Sequence, residues 1–148
     1  NRRLKVDVLP VAVTNAVDLR EFNIAMRGRA SNHLATSIPS PMAGGVRETQ
    51  LVPTVTLDWL LARYPAPRFI KLDVEGTEFM ALQAAERLLA EARPTVFLEI
   101  PRHHAQEITQ LFRRFGYTMY DAQVRSQDRK PLEYVAANAL AYPPGYSR

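Results

Sequence analysis

The chain has 148 residues, the length of one ordinary domain, and its 47% hydrophobic composition supports a packed core. Its net charge of +4 is scattered and forms no block of like charge, which argues against a nucleic-acid partner. The absence of cysteine excludes disulfides and thiolate chemistry and fits a cytoplasmic protein, and no apolar run approaches the roughly 18 residues of a membrane span, so no membrane partner is expected.

In chain order, Leu4–Val13 alternates and then turns wholly apolar, which predicts a strand that Pro10 bends. Leu19–Ala25 predicts a short strand. Residues 26–48 are rich in Gly, Pro, Ser and Asn and predict a long loop of the kind that forms lids and binding segments. A strand over Gln50–Val55 leads to Thr56, the N-cap of a short helix through Leu57, Trp59, Leu60 and Leu61 that ends before Pro65.

Phe69–Val74 and Thr95–Ile100 are two apolar runs separated by one helix length, the pattern of a βαβ unit with parallel strands. Gly76 supplies the turn, Thr77 the helix cap, and Phe79, Leu82, Ala85 and Leu89 one apolar stripe ending at Arg93 and Pro94. His103–Phe115 predicts a further helix, with Ile108, Leu111, Phe112 and Phe115 at helical spacing and Gly116 closing it. Tyr117–Asp121 and Glu133–Tyr142 predict two closing strands.

Asp73, Glu75 and Glu99 fall at the C-terminal ends of the two parallel runs, where open α/β sheets bind their ligands. Adjacent strands lie about 4.8 Å apart, so these carboxyl groups can share a ligand, act as a general base or hold a hard cation. A purely structural role, capping the next helix or satisfying rim amides, is the competing reading. His33, in the long loop, is a candidate substrate-facing general base. His103 and His104 are adjacent on a helix start and point about 100° apart, so at most one faces the rim; a metal site with Asp73 and Glu99 is conceivable, but polar capping or surface exposure is the favoured reading. The chain has no nucleophile elbow, Walker-type loop, metalloprotease helix or glycine-rich dinucleotide loop.

Ile70–Glu78 (Ile-Lys-Leu-Asp-Val-Glu-Gly-Thr-Glu), followed by Leu82 and by Val96–Ile100, resembles the signature of the FkbM-type methyltransferases. Val55–Asp58, Pro10–Asn15, Gly116-Tyr117 and Asn138–Tyr142 are similar to further segments of that family, so the resemblance covers nearly the whole chain except the 26–48 loop. It implies an α/β fold: a Rossmann-like class I sheet, mostly parallel with a C-terminal antiparallel hairpin, in the strand order 3-2-1-4-5-7-6. It also implies methyl transfer from S-adenosylmethionine to a hydroxyl of a small molecule or glycan. By that similarity Asp73 lies beside the methionine end of the cofactor and the acceptor, and Val13, Thr14 and Asn15 lie near the adenine. Glu75, Glu78 and Glu99 match acidic positions that organise the rim or touch substrate.

The resemblance places the glycine-rich first loop and the ribose-binding acid upstream of Asn1. The expectation is therefore that residues 1–148 are the C-terminal portion of a single domain lacking its N-terminal strands. Leu4–Val13 would then have no neighbour, Phe69–Val74 would expose an unpaired edge, and cofactor binding by these residues alone would be weak or nil. Two other readings compete: a catalytically silent α/β interaction module, and a carboxylate- or metal-dependent hydrolase using Asp73 and Glu99.

Overall fold

A computed structural model describes residues 6–37, 43–100 and 102–146. Strands β1 (Ala12–Val13), β2 (Asp18–Ala25), β3 (His33–Leu34) and β4 (Val46–Val55) form a first four-stranded sheet in the order β1-β4-β2-β3. Its backbone is the antiparallel pair β2–β4, which runs from Asp18↔Thr54 to Ala25↔Val46 with a bulge between Ile24 and Ala25. β1 adds parallel to the end of β4 through Ala12↔Thr54 and Val13↔Val55.

Three expectations are corrected in this half. The strand predicted over Leu4–Val13 pairs only at Ala12–Val13, and its residues 4 and 5 lie outside the described residues. The cause is Pro10, which lacks an N–H, together with a tight turn in which Val11 N donates to Leu9 O at 2.9 Å. Nor does this strand lack a neighbour, because β4 supplies one. Finally, the 26–48 segment is less of a loop than its composition implies. Val46–Glu48 extend β4, His33–Leu34 pair with β2, and a 3₁₀ turn spans Arg29–Ser31, while residues 38–42 lie outside the described residues.

The second sheet carries the core. β5 (Phe69–Leu72), β6 (Thr95–Glu99), β7 (Thr118–Asp121) and β8 (Asn138–Tyr142) lie in the order β5-β6-β8-β7. β5 and β6 are parallel with Leu72 level with Leu98, while β8 runs antiparallel to both β6 and β7. Leu72, Val96, Leu98, Ala139 and Ala141 line one face and are almost wholly buried beneath Leu82, Leu89, Ile108 and Phe112. These come from helix α2 (Glu78–Gln83), a π-helical turn at Leu88–Ala92 and helix α3 (Ala105–Arg114). A short helix α1 (Leu57–Leu61) precedes β5. The fold is thus mixed α/β in two sheets; only the β1–β4 and β5–β6 pairings are parallel, so the mostly parallel sheet is not what these strands form. The C-terminal antiparallel hairpin is present as β7–β8. Among the described residues no helix is long and apolar enough to cross a membrane.

Local chemistry accounts for most element ends. Thr56 caps α1 as predicted, its Oγ1 accepting from Trp59 N at 3.0 Å. α3 ends in a Schellman arrangement: Gly116, at φ 74°, donates to Arg113 O and Tyr117 donates to Phe112 O. The strand expected over Glu133–Tyr142 starts only at Asn138, because the preceding residues are tied elsewhere. Arg113 donates to Glu133 O and Val135 N donates to Thr109 Oγ1, which fastens that stretch to α3.

The helix predicted from its Thr77 cap to its end at Arg93 and Pro94 is broken after Gln83 and resumes at Glu86. Asp58, from the distant α1, closes the break: its two carboxylate oxygens accept from Arg87 N at 3.0 Å and Leu88 N at 2.9 Å. One acid therefore acts as the N-cap of a helical segment far along the chain. Asp58→Ala is expected to cost about 1 kcal/mol of stability, the usual worth of an N-cap, whereas Asp58→Asn keeps most of it. Urea denaturation followed by circular dichroism checks this.

Candidate functional site

β5 and β6 end side by side, so their C-terminal ends form a rim. With Leu72 level with Leu98, the next residues, Asp73 and Glu99, stand at the same height on neighbouring strands. After Asp73 the chain turns sharply. Glu75 has φ 49° and Gly76 φ 94°, two successive left-handed residues, and at Glu75 a side chain bears the strain. The turn returns the chain to α2, whose first residue is Glu78.

Thr77 does not cap α2 through its side chain, contrary to expectation. Its buried hydroxyl faces two carbonyls, Val13 O at 3.3 Å and Val74 O at 3.2 Å, and so ties the first sheet to the turn. The donors of the turn are satisfied from the other direction. Glu78 is only 3% exposed, and its Oε1 accepts from Val74 N and Gly76 N, each at 3.2 Å. Its Oε2 is buried with no partner.

Asp73, Glu75, Gly76, Glu78, Glu99 and Ile100 enclose a pocket of about 190 Å³. The rim acids named from the sequence are thus brought together. Asp73 is paired with Lys71, Nζ to Oδ2 at 2.7 Å; both are well exposed, so the pair contributes little to stability. The hydrogen bond and charge of Asp73 raise the Lys71 pKa, and Glu99 adds to this. Burial raises the pKa of Glu75, and the charges of Asp73, Glu78 and Glu99 raise it further, while His33 opposes them.

His33 lies on β3 and does not line the acidic pocket. It is buried, and both ring nitrogens are engaged: Nδ1 lies 3.0 Å from Ser31 O and Nε2 3.4 Å from Asn23 Nδ2. A carbonyl only accepts, so Nδ1 donates and the Asn23 amide donates to Nε2. To work as a base, His33 must first give up the Asn23 bond. Val13 lines a larger apolar groove of about 470 Å³ along the free edge of β5, with Leu57, Leu60, Leu72 and Val74. Thr14 is fully buried, with its N–H bonded to Val55 O, and Asn15 is exposed with its Oδ1 3.3 Å from Arg20 Nη2; neither lines the groove. The rings of His103 and His104 lie 4.2 Å apart and are tilted at 58° to each other, and the His104 ring lies 5.2 Å from that of Phe79. Among the described residues no three acidic, histidine or cysteine side chains are arranged to hold a metal ion.

Lys71 and Ile100 were not foreseen as site residues. Lys71 had a signal, since it stands two positions before Asp73 on one strand and shares its face. Ile100 had none beyond following Glu99.

The methyltransferase FkbM domain family matches residues 1–119. This chain belongs to that family. No curated protein and no solved structure matches it. The FkbM match includes every rim acid, His33 and Val13–Asn15, and it ends at Met119 within β7, before β8.

The Glu75 shift gives a pH test. Because the folded-state pKa lies above the ordinary 4.5, ionised Glu75 destabilises the fold. The penalty is absent well below that value, where the group is neutral in both states, and is complete above the folded pKa. Glu75→Gln is expected to raise the melting temperature at about pH 7 and to leave it unchanged at about pH 3. Calorimetric scans at the two pH values measure the difference.

Proposed function

We propose that this chain is the S-adenosylmethionine-dependent catalytic part of an O-methyltransferase acting on a small-molecule or glycan hydroxyl. The observation that carries this reading is Asp73. It stands on the rim between two sites, with Leu72 and Val74 beside it lining the apolar groove and the acidic pocket on its other side. Family membership supplies the reaction class.

The end of the groove next to Asp73, walled by Val13, Leu72 and Val74, offers an apolar surface to the adenosine half of such a cofactor. When bound, the cofactor supplies an electrophilic methyl group. What the chain itself contributes is positioning and proton management. Asp73 orients the acceptor hydroxyl at the rim by accepting its hydrogen bond and takes the proton as the oxygen reacts, with Glu99 beside it. The buried wall of Ile100 and Leu98 backs the site against water.

The order β5-β6-β8-β7, with β8 inserted antiparallel, supports reading this sheet as the 4-5-7-6 half of the class I order. Among the described residues β5 then keeps a free edge on which Phe69 is 57% exposed, and this edge supports reading residues 1–148 as the later part of one domain whose further parallel strands add there. The same edge is what an interaction module would offer a partner.

Calorimetric titration of the full-length protein with S-adenosylhomocysteine separates the two. The methyltransferase reading expects a Kd on the order of 1–100 μM, and no binding supports the interaction module. Asp73→Ala is expected to abolish transfer while leaving the melting temperature nearly unchanged, because an exposed rim acid makes few core contacts. Gross unfolding of that variant would instead show that Asp73 is structural.

A further inference from the structure

The acidic pocket and the apolar groove share no lining residue. Asp73 separates them, so a ligand in each would meet at that carboxyl group. With the groove read as the cofactor's, the pocket falls to the acceptor.

Hydrogen-bonding chemistry then limits what the pocket can receive. Its polar side chains among the described residues are four carboxyl groups, Asp73, Glu75, Glu78 and Glu99, with no cationic side chain among them. Lys71 does not line the pocket and is engaged with Asp73. Ionised carboxylates only accept, so the complementary ligand group is a donor with several hydrogens. Charge narrows the choice further. The acids repel one another through Glu75, and a cation relieves all of those repulsions together, whereas a neutral hydroxyl relieves none.

The decisive atom is Glu78 Oε2. Oε1 already holds the turn, and the whole residue is 97% buried, yet Oε2 has no donor. A buried carboxylate oxygen without a partner is costly, and the pocket it lines is where a partner can come from. A volume of 190 Å³ equals about six waters at ~30 Å³ each, which suits one end of a small molecule rather than a whole drug-sized ligand. No three of these acids are arranged to hold a metal, which favours an ammonium over a divalent ion among the described residues.

We propose that the pocket formed by Asp73, Glu75, Glu78 and Glu99 binds the ammonium group of an amine-bearing methyl acceptor. This rests on the methyl-transfer reading and specifies its substrate class as amino alcohols and amino sugars. In such an acceptor the ammonium is the recognition handle and the neighbouring hydroxyl is the reacting group at Asp73.

Ethanolamine and ethylene glycol differ only in an ammonium against a hydroxyl. Each is titrated into the full-length protein near neutral pH while the amide resonances of Gly76 and Ile100 are followed by NMR. The expected result is saturable shifts with ethanolamine, with a Kd on the order of 1–10 mM, and no saturation with ethylene glycol. Glu99→Gln, a near-isosteric change at an exposed position, should weaken ethanolamine about tenfold, the equivalent of ~1.4 kcal/mol. Equal responses to the two probes, or shifts elsewhere only, would overturn the proposal. So would magnesium ions saturating the same amides and blocking ethanolamine, which would make the pocket a metal site. Displacement of ethanolamine by S-adenosylhomocysteine would assign the pocket to the cofactor's own ammonium and equally overturn it. Failure of S-adenosylhomocysteine to bind at all sinks the methyl-transfer reading instead, and the preference between the two small probes is read independently of it.

Discussion

One buried carboxyl group organises this molecule's rim. Glu78 begins a helix, yet its side chain reaches back to the amides of Val74 and Gly76 and so closes the turn that leaves β5. Those two bonds help to hold a strained left-handed pair of residues in place. Thr77, next to it, fixes the same turn to Val13 in the other sheet. A single dipeptide thus sets the position of Asp73 and Glu75 relative to Glu99 and couples the two sheets at the site.

The arrangement trades stability for chemistry. A non-glycine residue in the left-handed region costs on the order of 1–2 kcal/mol, and here that residue is an acid surrounded by three other acids. The packing beneath compensates: Leu72, Leu82, Val96 and Leu98 are essentially inaccessible to water and form part of one continuous cluster. The rim is therefore a strained, like-charged surface held on a rigid apolar base, the combination that prepares a site to receive a complementary group without reorganising.

The sequence made the second sheet legible where local signals agreed with the final packing. Phe69–Val74 and Thr95–Ile100 are apolar, short and separated by one crossover, so their parallel pairing and the acids at their ends followed directly. Thr56 and Gly116 carry capping chemistry within a few residues of where it acts, and both behaved as their types require. What stayed hidden depends on partners far along the chain. Asp58 caps a helical segment some thirty residues away, and nothing in its neighbourhood signals that. Thr77 looks like a cap but spends its hydroxyl on carbonyls, because Glu78 already serves the turn's donors. Leu4–Val13 had the composition of a strand, but Pro10 and a partner that reaches only Ala12 and Val13 confined the pairing to two residues. Composition misled in the opposite sense at residues 26–48, where the register with β2 draws Val46–Glu48 into β4. At the site, the acids were readable one by one; that both ring nitrogens of His33 are engaged was not, since their partners are the Ser31 carbonyl and Asn23 on β2.

The account rests on Glu78 as the fastening of the rim, and native-state hydrogen exchange of the Val74 and Gly76 amides tests this most directly. Both should exchange slowly, with opening free energies approaching that of global unfolding, and in Glu78→Ala both should lose protection while the β7–β8 amides keep theirs. Rapid exchange of Val74 and Gly76 in the unaltered protein, or protection that survives removal of the Glu78 carboxyl group, would contradict it.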